Sequence, residues 1–419
     1  MRVSATMLLL VCCVASKGPA TEQSGVFTIN KISESIVLTT AQRGSLQFQF
    51  GPPDGTIGVV KEGEAYTFFM PAASSASCKG TPSTGGTYRF GGSLASFRAI
   101  HGCSAALSSR QGADPNGYTF DRDYAEGGPV LAVHSASGAA GLLHIYHGEW
   151  QGGRCSGLGK CFYSSLGLAL SNDGGARFAK LGEIVQPFVT RSTVINANEN
   201  FDVGGGTLLI ADGEGRHIAN LASADTASTY LYVFYTDFDP SAAASGSCSS
   251  DACLAVARAP LAAVIANAFD GKSATFPTLF KKFYQGGFTE PGTGGDPNDA
   301  VNSGHYTPVI PVSGNFPSVL YDESTHQYLI AYSTDNSAIE FQHGSTLLSW
   351  SGPIASATIT SRGKSVLYPT LIGEGDDPAT GNGHPWLFYL TAPHWPDWKG
   401  VNVMRRGLKI AYSDRIGAR

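Results

Sequence analysis

A pattern that recurs five times along the chain constrains its fold more than any other feature. Each copy has a buried-looking strand, a polar turn, a strand rich in Tyr and Phe, and then an acidic or histidine residue. The clearest copies are PVLAVHSASGAAGLLHIYHGEW (129–150), FPSVLYDESTHQYLIAYSTD (316–335) and YPTLIGEGDDPATGNGHPWLFYLTAPHW (368–395), and looser copies occupy 54–71 and 204–239. Repeated β units of this size are typical of a β-propeller, in which each unit forms one blade.

The composition agrees with an all-β fold. The chain has 419 residues, of which 52 are Gly and 22 are Pro, and 15% are charged, so turns are frequent. Because a propeller arranges its blades around one axis, we expect residues 21–419 to form a single domain of five four-stranded antiparallel blades. The net charge of −5 argues against a nucleic-acid partner. We expect no membrane partner either, and a monomer.

Segments outside the five copies complete the blades. The stretches at 163–175 and 177–185 predict third and fourth strands of the second unit, and 253–261 and 275–285 do so for the third. The last unit lacks a fourth strand, and 26–40 can supply it, which would close the ring with the N-terminal strand. One helix is predicted over 260–269, because Pro260 suits a first turn and Asp270-Gly271 follows.

The first twenty residues predict a signal peptide. A short apolar run follows Met1 and Arg2 and is too short to span a bilayer, and small residues near position 20 suit a signal peptidase. We therefore expect a secreted protein, extracellular or periplasmic.

The remaining cysteines fit an oxidising compartment. Six are left once Cys12 and Cys13 are set aside, and fifteen pairings are formally possible. Their short spacings in Gly/Ser-rich loops favour neighbours, namely Cys78 with Cys103, Cys155 with Cys161, and Cys248 with Cys253. No His cluster indicates a metal site. We expect no cofactor and leave a structural Ca²⁺ open.

Strand direction predicts where functional residues converge. In an antiparallel blade the start of the first strand and the end of the second lie on the same face. In unit order, those positions hold Asp54 and Pro71, Glu126–Pro129 and Glu149, Asp202 and Asp237, Asn315 and Asp335, and Tyr368 and His394. A chain with few charges therefore places several acids on one rim.

Carboxylates on one rim suit hydrolysis of a glycosidic bond. That reaction needs one carboxyl to protonate the leaving oxygen and another to activate water or attack the sugar. Asp54 suits the base or nucleophile, Glu149 beside His147 and Trp150 suits a partly desolvated acid, and Asp202 is a candidate third carboxylate. The alternative is that neither residue is catalytic: Asp54 caps an Asp-Gly turn, and Glu149 is a solvated acid in a loop.

The ring of five units with acids at the strand heads resembles the five-bladed β-propeller glycosidases, which include arabinanases, β-xylosidases and fructan hydrolases. The resemblance implies a catalytic Asp at the start of the first blade, which Asp54 matches. It also implies a Glu acid on a later blade, whereas Glu149 follows a strand of unit two. The resemblance extends over most of the chain in architecture, but it does not indicate which sugar is the substrate.

Further residues are candidates for binding the carbohydrate. Flat rings or polar groups on rim loops suit sugar recognition. The candidates are His147, Trp150, Tyr163, Phe201, Asp237, His305, Asp335, His394 and Trp395. The Gly/Pro-rich stretch from Gly286 to Pro308 predicts a long loop that covers the rim and carries His305.

Other functions stay open. Ser171 to Phe178 resembles the Asp-box of sialidases, but it falls between a third and a fourth strand on the opposite face, so it predicts a folding turn. A noncatalytic carbohydrate-binding propeller would repeat its binding residues from blade to blade, and the rim residues here differ. A polysaccharide lyase would use a His or Tyr base, which His147 and Tyr163 keep open.

Overall fold

The computed structural model describes residues 25–39, 41–42, 53–72, 85–99, 104–109, 120–152, 161–193, 202–221, 226–244, 248, 252–295, 302–393 and 400–414. Within these ranges the chain forms five sheets that are the blades of a five-bladed β-propeller, as the repeat predicted. Four strands per blade form the basic unit, and short additional strands extend three of the sheets.

The strands are numbered in chain order from β1 (Gly25–Leu38). Blade 1 has β2 (Gly58–Glu62), β3 (Ala65–Ala72), β4 (Gly86–Ser93) and β5 (Ser96–Ala99). Blade 2 has β6 (Tyr124–Glu126), β7 (Val130–His134), β8 (Ala140–Gly152), β9 (Cys161–Ser171) and β10 (Ala179–Val185). Blade 3 has β11 (Val203–Asp212), β12 (Thr229–Asp237), β13 (Cys253–Pro260), β14 (Lys281–Tyr284), β15 (Gly287–Pro291) and β16 (Ile310–Ser313).

Blade 4 has β17 (Asn315–Asp322), β18 (Gln327–Thr334), β19 (Ala338–Gly344) and β20 (Ile359–Thr360), and β22 (Thr380–Gly381) pairs parallel with β17. Blade 5 has β21 (Ser365–Ile372), β23 (Trp386–Ala392), β24 (Asn402–Asp414) and β1. The predicted closure by an N-terminal strand is confirmed, because β1 pairs with β24 from Gly25↔Asp414 to Leu38↔Val403.

Helix is scarce, as predicted. The helix α1 (Leu261–Phe269) follows Pro260 and confirms the expected element. The prediction of a strand over 275–285 is wrong in its first part, where α2 (Phe276–Leu279) carries a proline in its first turn, a position that favours a helix start. Short 3₁₀ turns lie at Thr226–Ser228, Pro240–Ala242, Ser273–Thr275 and Ala355–Ala357. None of the helices in the described ranges is long and apolar enough to cross a membrane.

The hydrophobic core is divided among the five interfaces between neighbouring blades. One cluster joins Leu143 of blade 2 to Val233 of blade 3, and another joins Phe68 of blade 1 to Phe388 of blade 5. Three further clusters fill the 4–5, 3–4 and 1–2 interfaces. Each sheet is therefore covered by the sheets on either side of it, and this arrangement requires a closed ring.

Three inner strands share the same irregularity near the axis. The pairing register shifts at Gly204/Gly206 in β11, at Asn315/Ser318 in β17 and at Leu367/Thr370 in β21. In each case a residue with positive φ stands within the shift: Gly205 at 56°, Phe316 at 56° and Tyr368 at 55°. Pro317 and Pro369 follow the two aromatic residues and have no N–H for the ladder, which explains the interruption.

The segment from Gly286 to Pro308, predicted as a long rim loop, begins with a strand instead, and its residues 296–301 lie outside the described part of the chain. Gly287–Pro291 forms β15, which pairs with β14 in blade 3. The chain beyond it packs against the end of blade 2, where the Gln186 N–H donates to the Gly292 carbonyl (2.9 Å) and the Ser303 N–H donates to the Phe188 carbonyl (3.1 Å).

The disulfide predictions are confirmed for one pair. Cys248 and Cys253 are bridged across a Cα–Cα distance of 6.1 Å. Cys161 is also disulfide-bonded. Its predicted partner Cys155 lies outside the described residues, as do Cys78 and Cys103.

The closing strand offers a test of the fold. Ile29 on β1 is 3% exposed in the core between blades 4 and 5, whereas Ile32 on the same strand is 57% exposed. We expect Ile29→Ala to lower the free energy of unfolding by about 2 to 4 kcal/mol, because it leaves a cavity in that core. Ile32→Ala, the matched control, changes it by about 0.5 kcal/mol or less. Urea unfolding of both variants measures the difference, and equal effects would contradict the closure.

Candidate active site

A cavity of about 160 Å³ lies on the propeller axis at the heads of the inner strands. It is lined by residues of all five blades, among them Asp54, Glu126, His147, Glu149, Asp202, Phe316 and Tyr368. The three carboxylates predicted to be catalytic are thus brought together, along with His147 and with Glu126, which was predicted to lie on the rim but was given no role. Strand direction placed them there, since each stands at the head of a first strand or the end of a second.

Close backbone packing positions the inner strands around this cavity. A Cβ added to Gly128 would lie 1.7 Å from the Thr56 carbonyl oxygen, so glycine is required for blades 1 and 2 to approach at the axis. The Thr56 hydroxyl donates to the Gly206 carbonyl of blade 3 (3.0 Å), and the Ile57 N–H donates to the Thr370 hydroxyl of blade 5 (2.8 Å).

Asp54 is held by two phenols from different blades. The Tyr124 hydroxyl donates to Oδ2 and the Tyr368 hydroxyl donates to Oδ1, both at 2.9 Å. The Asp54 N–H donates to the Pro71 carbonyl (2.9 Å), which fixes the backbone at the head of blade 1. Burial raises the pKa of Asp54, and the two hydroxyl hydrogen bonds oppose that rise because they stabilise the carboxylate. Asp54 is therefore an oriented carboxylate in a poorly solvated position.

His147 connects two further carboxylates. Its Nε2 lies 3.1 Å from Glu149 Oε1, and its Nδ1 lies 3.8 Å from Asp202 Oδ1. Burial alone would lower the pKa of His147, but the Asp202 and Glu149 carboxylates raise it to about 9. The Gln151 amide donates to Glu149 Oε2 (2.7 Å), so both oxygens of Glu149 have partners.

Asp202 is the third carboxylate of this group. Burial raises its pKa to about 6, although the His147 cation opposes the rise. Its backbone carbonyl accepts the Phe238 N–H (3.1 Å), which ties the head of β11 to the end of β12. His147 and its two carboxylates thus form one proton-holding unit on the cavity wall. Asp54 differs from this unit, because its hydrogen-bond donors are uncharged hydroxyl groups.

Phe316 and Tyr368 form an aromatic wall. Their rings meet edge to face with centroids 4.5 Å apart. Gly205 makes room for this pair, because a Cβ at that position would lie 2.6 Å from Phe316 Cδ1. Positive φ angles at two bulky residues are uncommon and occur where the surrounding structure enforces them, often at functional sites.

Trp150 and Tyr163 do not line the cavity. Side chains alternate along β8, so Trp150 points away from the face that carries His147 and Glu149. Its ring lies under the guanidinium groups of Arg122 (5.4 Å) and Arg191 (4.7 Å). The Tyr163 side chain is buried, and its hydroxyl donates to the Val189 carbonyl (2.9 Å).

Asp237, His305 and Asp335 also lie apart from the cavity lining. Asp237 is fully buried, burial raises its pKa, and the buried Lys282 cation opposes that rise. His305 stacks on Phe188 with centroids 4.1 Å apart. Asp335 is an exposed turn residue with a φ of 47° between β18 and β19, a conformation that Asp tolerates.

The remaining predicted residues divide into two groups. Phe201, His394 and Trp395 lie outside the described residues. The Asp-box-like segment is a turn between β9 and β10, in which the Ser171 hydroxyl donates to Asp173 Oδ1 (2.7 Å) and the Arg177 N–H donates to the same oxygen (3.0 Å). None of its residues lines the cavity.

Sequence reasoning missed Tyr124 as a site residue, and it placed Glu126 on the rim without giving it a role in the site. Both lie on β6, a three-residue strand that pairs with the end of β8, Tyr124 opposite Glu149 and Glu126 opposite His147. A strand this short has no periodicity to detect. The available signal was position, because Glu126 precedes Gly127-Gly128-Pro129 at the head of an inner strand.

No protein family model matches this chain, and no curated protein matches it either. The structure is similar to the catalytic domain of a GH62 α-L-arabinofuranosidase from Coprinopsis cinerea, with 11% identity, 91% of this chain and 97% of that chain covered, and a TM-score of 0.44. It is also similar to a family 117 glycoside hydrolase from the marine bacterium Zobellia galactanivorans, with 8% identity, coverages of 92% and 90%, and a TM-score of 0.45. Similarity at this level says nothing about the chemistry of this chain, which rests on its own cavity.

The charged state of His147 can be tested through stability. Its folded pKa of about 9 exceeds the ordinary 6.5, so its stabilising contribution is fully present below about pH 6.5 and is lost as the pH rises through about 9. We expect His147→Gln to destabilise the protein more at about pH 6.5 than at about pH 10, by roughly 3 kcal/mol.

His144→Gln is the matched control on the same strand. Burial lowers the pKa of His144 to about 4, so this side chain is neutral in the folded protein at both pH values, and the cost of replacing it should change by less than about 0.5 kcal/mol. Denaturant unfolding at the two pH values measures both variants. A His147→Gln effect that does not change with pH would rule out the charged imidazole.

Proposed function

We propose that the protein is a secreted glycoside hydrolase that cleaves a glycosidic bond of a polysaccharide or oligosaccharide. One observation carries the proposal: a single axial cavity combines an oriented carboxylate, Asp54, with a second carboxylate, Glu149, that is hydrogen-bonded to a proton-holding histidine. Paired carboxyl groups with different surroundings are what glycoside hydrolysis requires.

Glu149 acts as the acid in this proposal. The proton resides on His147 before a sugar binds, and the bound sugar excludes water and makes the separated charges of His147 and Glu149 more costly. Transfer of that proton along the 3.1 Å hydrogen bond to Glu149 gives a neutral pair. Glu149 then protonates the glycosidic oxygen as its bond to the anomeric carbon breaks, and the leaving sugar departs as an alcohol.

Asp54 acts on the anomeric carbon. It either takes a proton from the attacking water or bonds to the carbon directly and is released by water in a second step. The two phenols hold its oxygens in one orientation, which reduces the reorganisation needed in the transition state. The configuration of the first sugar product, followed by NMR, decides between these two routes.

The charge of the wall favours a sugar without a carboxylate. Four carboxyl groups line the cavity, and His147 is the one basic side chain among its described lining residues. Sialidases and lyases that act on uronates need positive charge to hold the substrate carboxylate. A noncatalytic propeller would present similar pockets on successive blades, whereas here five different strand heads build one asymmetric cavity. The aromatic wall of Phe316 and Tyr368 supplies a surface for a sugar face.

Export is part of the proposal and is supported by the disulfides. Bridges such as Cys248–Cys253 form and persist in oxidising compartments. The first twenty residues have the composition of a signal peptide. N-terminal sequencing of the protein from a culture medium tests both points.

Removal of the acid is the direct test of catalysis. We expect Glu149→Gln to lower kcat/KM by at least about a thousandfold on natural glycans, because Gln cannot donate a proton to the leaving oxygen. The measurement is product release from a panel of neutral and acidic glycans. Glu323→Gln, an exposed residue in the β17–β18 turn, is the control and should retain full activity. A fully active Glu149→Gln enzyme would sink the assignment.

The hydrogen bonds that hold Asp54 predict how kcat/KM depends on pH. The Tyr124 hydroxyl stabilises the Asp54 carboxylate, so Tyr124→Phe should raise the pKa of Asp54 further. The acidic limb of the kcat/KM profile should then move to higher pH by up to about one unit, the equivalent of one hydrogen bond. Tyr328→Phe, which removes a buried hydroxyl of blade 4, should leave that limb in place. An unchanged limb in Tyr124→Phe would show that Asp54 does not set it.

A further inference from the structure

Glu126 is a carboxyl group in the cavity wall for which the mechanism above has no role. It is 4% exposed, it lines the cavity, and its Oε2 is enclosed without a hydrogen-bond partner. It ends β6, and the backbone turns away at Gly127, whose N–H donates to the Thr87 hydroxyl (2.9 Å). The side chain is therefore held at the cavity by a rigid strand end.

Burial and the neighbouring carboxylates disfavour a negative charge on Glu126. The Asp54 and Glu149 carboxylates act on it through space, and the Tyr124 and Tyr368 hydroxyls donate hydrogen bonds to Asp54. His147 lies opposite Glu126 in the strand register, but its ring contacts Glu149 and Asp202. Burial raises the pKa of Glu126 well above its usual range, the nearby Asp54 and Glu149 carboxylates add to the rise, and a hydrogen bond from Tyr124 opposes it without cancelling it.

An enclosed oxygen without a partner distinguishes the two forms of this carboxyl. Leaving a charged carboxylate oxygen unpaired costs far more than leaving a carbonyl oxygen unpaired. The enclosed Oε2 is therefore the carbonyl oxygen of a neutral acid, and Oε1 carries the proton. A neutral carboxylic acid differs from a carboxylate, because it donates a hydrogen bond as well as accepting one.

We propose that Glu126 is a neutral carboxylic acid in the wall of the cavity and that it donates a hydrogen bond to a hydroxyl group of the bound sugar. The hydrogen bond to a sugar rests on the proposed function, whereas the neutral state of Glu126 does not. Glu126 is thereby a substrate-binding residue, and the reacting proton remains with Glu149 and His147. Its contribution is made to the bound sugar in the ground state and in the transition state alike, so it acts on KM rather than on kcat.

The neutral state is tested without any ligand. A carboxyl with a raised folded pKa makes the protein less stable as the pH rises above the unfolded value, because the unfolded chain releases a proton that the folded chain retains. Glu126→Gln keeps the shape and does not titrate. The folding equilibrium of the variant should therefore gain on that of the wild type by up to about tenfold per pH unit from about pH 4.5 upward.

Glu62→Gln, an exposed residue in blade 1, is the control and should run parallel to the wild type at every pH. A constant difference between Glu126→Gln and the wild type, or a wild type that gains on the variant as the pH rises, would overturn the neutral acid.

The donor role is tested on the oligosaccharide that the wild type cleaves fastest in the glycan panel. Glu126→Gln retains an N–H donor and should keep KM within about threefold. Glu126→Met has no donor and should raise KM by about tenfold to a hundredfold with kcat little changed. Melting curves check that both variants fold, and a rise in the KM of the Gln variant well beyond threefold contradicts the donor role even if the Met variant does not fold.

Two other outcomes separate the proposals. Glu126 protonates the leaving group itself if Glu126→Gln loses kcat on the oligosaccharide and recovers it on an aryl glycoside with a good leaving group, and the binding role is then wrong. A wild type that cleaves no glycan overturns the proposed function and the sugar contact together, whereas the stability comparison still decides whether Glu126 is neutral.

Discussion

The pairing of β1 with β24 is the interaction on which the rest of the structure depends. Each sheet buries its faces only against its two neighbours, so an open ring would expose the core between blades 1 and 5 to water. The site depends on the same closure. The hydrogen bond from Tyr368 to Asp54 and the one from Ile57 to Thr370 both cross between blade 5 and blade 1. The closure of the ring and one of the two hydrogen bonds that orient Asp54 therefore depend on the same contact between blades 5 and 1.

The cavity concentrates carboxyl groups and separates them by environment. Asp54 receives two hydroxyl donors, Glu149 and Asp202 share His147, and Glu126 has an enclosed oxygen with no donor. Burial disfavours charge on Asp54, Asp202 and Glu126, and their different local partners oppose that effect to different degrees. Carboxyl groups thus serve as an ion, as partners of a cation and as a neutral acid within one cavity. Different surroundings for groups of the same kind are a recurrent way for one site to hold both an acid and a base.

The repeat made the fold predictable, and strand direction made much of the site predictable. The heads of first strands and the ends of second strands placed Asp54, Glu149 and Asp202 together without any motif. Trp150 was misplaced because its neighbour Glu149 faces the cavity and side chains alternate along a strand. Asp237 stands at a correct strand end, yet its side chain turns into the core beside Lys282. Position along the chain predicts the face of the ring, and the local register decides which way a side chain points.

Gly205, Phe316 and Tyr368 occupy the same place in three successive blades with the same backbone conformation and different side chains. The interruption of the ladder is part of the scaffold, and the side chain at each of these places is free to differ. Pseudo-symmetry in the backbone therefore coexists with asymmetry in the cavity. A ring built in this way can acquire a new specificity through substitutions at these equivalent positions, while the strands that hold the blades together keep their pairing.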